Sequence, residues 1–86
     1  MEIKKKSWPA QFQLMVEGKK TADVRLADFK INEGDTLILE EYDPVKKSYT
    51  GRVIKKRVKN VNKVRLTGFN KNEDIIKYGH WIIELE

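Results

Sequence analysis

The residues best suited to chemistry in this sequence lie in one short stretch, Gly18-Lys19-Lys20-Thr21-Ala22-Asp23-Val24-Arg25. Lys20 offers a charged donor for a phosphate or a nucleobase carbonyl. Arg25 offers a planar fork for a phosphate or a base edge, and Asp23 can accept from an exocyclic amine or orient the arginine. Thr21 adds a hydroxyl. If the stretch is a strand, Thr21, Asp23 and Arg25 share one face at about 6.5–7 Å spacing. Ordinary structural roles compete with this reading. Lysines at a helix C-terminus offset the helix dipole by about 0.3–1 kcal/mol each, and an exposed Asp–Arg pair stabilises by about 0–1 kcal/mol.

A second group is defined by charge. Net charge is +5, but ten of the eighteen Lys/Arg fall between Pro44 and Asn72, a span without Asp or Glu. That third of the chain carries +10 and the remainder −5. The asymmetry suits a polyanion, with nucleic acid the commonest kind. Arg52, Lys55 and Arg57 are candidate phosphate contacts, with Tyr49 beside them as a base-stacking candidate. On a strand this run points to both sides, and solvation is the competing role for each residue. Trp8, Phe12 and Trp81 sit in apolar patterns and are expected in the core. His80, the single histidine, is expected at the surface or in a hydrogen bond.

Several chemistries are excluded. Without cysteine and with one histidine there is no disulfide framework, no thiolate or multi-histidine metal site and no cysteine nucleophile. No phosphate-binding loop or dinucleotide fingerprint is present, so neither metal nor cofactor is expected. No apolar run approaches the roughly 20 residues that span a bilayer, and the charged start at Met1–Lys6 lacks the apolar segment of a signal peptide. A cytoplasmic monomer is expected, with RNA or a nucleotide as partner and a protein partner as the alternative.

The elements that must position these residues follow from periodicity. The 86 residues suffice for one domain, 1–86. Glu2–Lys6 reads as a first strand. Pro9 suits a first helical turn, and Trp8, Phe12, Met15 and Val16 trace one apolar face up to a left-handed stop at Gly18. The period then switches to two. Strands are expected over Thr21–Leu26, Thr36–Tyr42, Tyr49–Val61, Asn62–Leu66 and His80–Leu85, with a hairpin at Asp43–Ser48. Val61 is out of phase with Ile54 and Val58, which places a bulge near Lys59-Asn60. A helical turn is expected over Asn70–Tyr78. The fold class is α+β, mainly β: a small barrel of about five to six strands with one helix after the first strand, closure removing exposed edges.

Trp8-Pro9 before the helix, Gly18-Lys19-Lys20-Thr21 at its end, Asp23 and Arg25, then Gly34-Asp35-Thr36-Leu37, Tyr49-Thr50-Gly51-Arg52 and Trp81-Ile82-Ile83 together resemble ASCH domains of the PUA-like group, over nearly the whole chain. The resemblance implies a PUA-like β-barrel with a cleft beside the helix-to-strand junction and RNA binding there. One ASCH branch is instead a small amidohydrolase that deacylates acetylcytidine with a lysine, a threonine and a glutamate. Its lysine matches Lys20, but Asp23 stands where its threonine would, and its glutamate has only Glu73 or Glu84 as candidates. The reading is therefore a non-catalytic RNA- or nucleotide-binding module. The alternatives are an amidohydrolase using Lys20 and Asp23 and a protein-interaction domain.

Overall fold

Strand β1 (Glu2–Ser7) leads into helix α1 (Pro9–Val16), and β2 (Ala22–Leu26), β3 (Thr36–Asp43), β4 (Ser48–Val64) and β5 (His80–Leu85) follow. A computed structural model describes residues 1–65, 73 and 77–86. Of the helical turn expected over 70–78, Glu73, Lys77 and Tyr78 are helical; its other residues lie outside those described. Asn62–Val64 continues β4 and is not a separate strand, while Leu66 lies outside the described residues.

Pro9 opens α1 without a capping side chain, so burial must hold the helix in place. Phe12 and Met15 are 1% and 2% exposed and join Leu37, Leu39, Val58, Ile83 and Leu85 in the core. Full burial of such a side chain stabilises by about 1.5–3 kcal/mol. The helix stops at Gly18 (φ +74°), after which Lys19 and Lys20 N–H groups both donate to the Leu14 carbonyl at 3.0 and 3.1 Å. This closing turn sets where Lys20 leaves the helix.

The strands form one mixed sheet in the order β1-β3-β4-β5-β2. β1 and β3 are parallel and the other pairs antiparallel. β4 joins two halves: Ser48–Arg57 pairs with β3, and Val58–Val64 with β5. The register slips between Val58 and Asn60, where the sequence places the bulge. Gly34 donates to the Val58 carbonyl at 2.8 Å, and Val58 donates to that of Asp35 at 2.8 Å, pinning the corner where β4 changes partner.

Closure into a barrel does not occur among the described residues. β1 and β2 are the two edges, and no backbone pairing joins them. The connection from β1 to β2 runs through α1 and its closing turn, and the space between the two edges is left as a gap. The side chain of Arg25 crosses it, donating from Nη2 on β2 to the Lys6 carbonyl of β1 at 2.6 Å.

Candidate functional site

The unclosed seam is a cleft of about 580 Å³ lined by Lys6, Ser7 and Trp8 from the β1–α1 corner, Gln11 from α1, and Lys20, Asp23, Val24 and Arg25 from the opposite wall. Its geometry follows from local structure. The helix stop delivers Lys20, whose Nζ donates to Gln11 Oε1 at 2.6 Å and lies 3.8 Å from Asp23 Oδ1. Strand alternation puts Asp23 and Arg25 on one face, and Arg25 Nε donates to Asp23 Oδ2. Asp23 is 7% exposed, its carboxylate held between two cations.

This network fixes the side chains and leaves donors over. A guanidinium has five N–H groups; Arg25 uses Nε on Asp23 and one Nη2 on Lys6. Lys20 has three donors and its side chain is 28% exposed. The cleft thus presents fixed cationic donors to an anion or a carbonyl, one buried carboxylate, and the half-exposed ring of Trp8. No group of three or more His, Cys, Asp or Glu suited to a metal ion occurs among the described residues.

Lys20, Asp23 and Arg25 are therefore brought together as their spacing suggests. Thr21 is exposed and does not line the cleft; its carbonyl accepts the Leu85 N–H at 2.8 Å, which ties the start of β2 to β5. Arg52 turns elsewhere, donating to Gln13 Oε1 at 3.0 Å, lying 3.6 Å from the buried Glu41 and stacking 4.9 Å over Phe12. It braces α1 against β3. Lys55, Arg57 and Tyr49 lie on β4 away from the cleft, and Arg57 meets Glu86 at 3.3 Å. Glu73 and Glu84 are exposed and neither lines the cleft.

One expectation needs correction. Trp8 is not core but 50% exposed, because as N-cap residue of α1 it precedes the first helical turn and falls at the corner with β1. Of the two settings expected for His80, the surface is excluded: it is fully buried, since β5 lies between β4 and β2. Lys6, Ser7, Gln11 and Trp8 were missed as site residues. Only adjacency to the helix start could have signalled them, because they join the site through the curl of the sheet.

Fold and site together define a small, mainly β domain with a cleft between the β1–α1 corner and β2 that is lined by two cations and a carboxylate. The chain belongs to the family described as "Domain of unknown function (DUF3850)", which matches residues 3–76. It is similar to an "Uncharacterized 12.9 kDa protein in GpA 3'region" of Escherichia phage P2, at 44% identity over 50 residues. That match covers 58% of this chain and 44% of the phage protein. Among the described residues no helix is long and apolar enough to cross a membrane.

Proposed function

We propose that the domain binds RNA or an RNA-derived nucleotide, with a phosphate or base edge held in the cleft by Lys20 and Arg25 and an amine or hydroxyl accepted by Asp23. The observation that carries this reading is the convergence of two fixed cations on one buried carboxylate inside a cleft of nucleotide size (about 580 Å³). Charge-assisted donors of this kind are strong and, in Arg, geometrically selective. The resemblance to ASCH domains supports it, and we place the chain near the PUA-like group on that ground. We place its action in the cytoplasm, a reducing compartment that suits a chain without cysteine.

Fluorescence anisotropy with a labelled single-stranded RNA tests the proposal. Binding should weaken with salt, log K falling by about 0.7 per neutralised phosphate for each unit of log salt concentration. Lys20→Ala should cost about tenfold, the equivalent of one charged hydrogen bond. Lys20 is the better probe because Arg25 also ties the sheet edges together. Equal affinity in the native domain and Lys20→Ala would remove the cleft from the binding site. The deacylase alternative has one of its three groups in the cleft, Lys20, with Asp23 at the position of its threonine. Turnover of an acylated cytidine that is lost in Asp23→Asn would displace the binding reading in its favour.

A further inference from the structure

Residues directly opposite in a ladder point to the same side, so the registers sort the β1–β3–β4 half of the sheet into two faces. Ile3, Leu37, Leu39 and Ile54 face the core. The outer face carries Glu2, Thr36 and Arg57 in one row, then Lys4, Ile38 and Lys55, then Lys6, Glu40 and Val53. Beyond the slip between Glu40 and Tyr42 the next pair is Tyr42 and Tyr49. Lys6 Nζ lies 4.2 Å from the Tyr42 ring centroid and 5.8 Å from that of Tyr49, which places both rings on the outer face. The Trp8 and Tyr42 rings lie 5.6 Å apart at 32°, and the Tyr42 and Tyr49 rings 5.1 Å apart at 71°.

Three aromatic rings therefore run in series from the cleft rim onto the outer face. Trp8 is 50% and Tyr49 52% exposed. Exposing large rings to water is unfavourable, and three in contact make a patch of the kind that marks a binding site. The exposed Lys6 lies against the Tyr42 and Tyr49 rings, and the exposed Lys4 and Lys55 stand one row further along the same face, although Glu2 and Glu40 share the face and Arg57 is engaged by Glu86. Lys6 and Trp8 belong to the cleft lining and to this series alike, so the two surfaces are continuous.

We propose that Trp8, Tyr42 and Tyr49 form a base-stacking platform for single-stranded RNA, taking the nucleotides that continue from the one held in the cleft. The platform rests on the cleft reading and extends it: the ligand is an oligonucleotide, not a free nucleotide. Every base has a π-face, so stacking of this kind tolerates sequence, and the lysines meet the phosphates. The half-exposed Trp8 and Tyr49 rings leave π-faces to water, and the cationic Lys6 between cleft and rings favours a phosphate-linked ligand over a neutral peptide strand.

The test compares a short single-stranded oligouridylate, followed by anisotropy, with uridine monophosphate, followed by NMR shifts. Tyr49→Ala should weaken the oligonucleotide about tenfold and leave the mononucleotide unchanged, and Tyr49→Phe should restore the loss by restoring the ring. Lys20→Ala should weaken both ligands. Unchanged oligonucleotide affinity in Tyr49→Ala, with Lys20→Ala still impaired, overturns the platform and leaves the cleft. Loss in Tyr49→Ala but not in Lys20→Ala overturns the cleft and supports the platform as the site. No oligonucleotide binding even at low salt overturns both. A native dimer that Tyr49→Ala converts to monomer overturns the platform alone, because the face would then cover a second copy.

Discussion

At the scale of single residues, two carboxylates show how position decides role. Asp23 is bound by cations in the cleft, whereas Asp35 closes the turn before β3. The Asn32 backbone N–H donates to Asp35 Oδ2 at 2.9 Å and the N-terminal ammonium to Oδ1 at 3.2 Å. The Asn32 hydrogen bond, aided by the ammonium and opposed by partial desolvation, holds this carboxyl below the usual aspartate range. A depressed folded pKa contributes stability that is fully present above the unfolded value of about 3.9 and is lost as pH falls through the folded value. Asp35→Asn should thus be less stable than the native domain at neutral pH, with a gap that closes below about pH 3.9. Urea midpoints measured from neutral to acid pH would show it; a gap independent of pH would contradict the assignment. Gly79 makes a different point. Its φ is +73°, and an added Cβ would sit 3.0 Å from the Val64 carbonyl oxygen. Gly79→Ala should destabilise by about 1–2 kcal/mol from backbone conformation alone, with the close approach adding to that.

At the scale of elements, α1 is the part on which the site depends most. It has no side-chain cap, and its exposed residues include Leu14 and Val16, so Phe12 and Met15 are what fasten it to the sheet. Phe12→Ala should cost about 3–5 kcal/mol, a large share of the roughly 5–15 kcal/mol available to a domain. It should also weaken ligand binding, because Gln11 and the turn carrying Lys20 move with the helix. Thermal and urea unfolding would check the first expectation and RNA titration at a temperature where the variant remains folded the second. Arg52 belongs at this scale too. Its position in a basic run suggests phosphate contact, but the contacts to Gln13, Glu41 and Phe12 make it a brace. Arg52→Ala should lower stability more than it lowers RNA affinity.

At the scale of the whole molecule, the sheet curls until its edges nearly meet and the remaining gap is the candidate site. Arg25 spans that gap to the Lys6 carbonyl while paired to the buried Asp23. Removing it leaves a buried carboxylate with Lys20 alone, at 3.8 Å. Arg25→Ala should cost about 1.5–3 kcal/mol, the range for hydrogen bonds to charged groups. A double-mutant cycle with Asp23→Ala should recover part of that cost, since the unpaired carboxylate goes with it. Full additivity would mean that the pair is uncoupled and that the seam is held by packing alone.

The elements were legible in the sequence because their signals are local. Pro9, the Phe12–Met15 face and Gly18 determine a helix and its stop, alternation determines the strands, and the phase slip at Val61 locates the corner of β4. Lys20, Asp23 and Arg25 could be grouped as well, because a helix stop followed by a strand brings nearby residues together whatever the rest of the chain does. Which strands become neighbours was settled only by packing. The order β1-β3-β4-β5-β2 puts the first two strands at opposite edges and leaves the sheet open, where the run of short strands and the ASCH resemblance suggest a barrel. Tyr42 meets Tyr49 across the local Asp43–Ser48 hairpin, whereas Lys6 and Trp8 reach the cleft through pairings between distant parts of the chain. His80 is buried for the same reason. Residue type and short-range spacing carry no information about such pairings, because they depend on which surfaces lose water together.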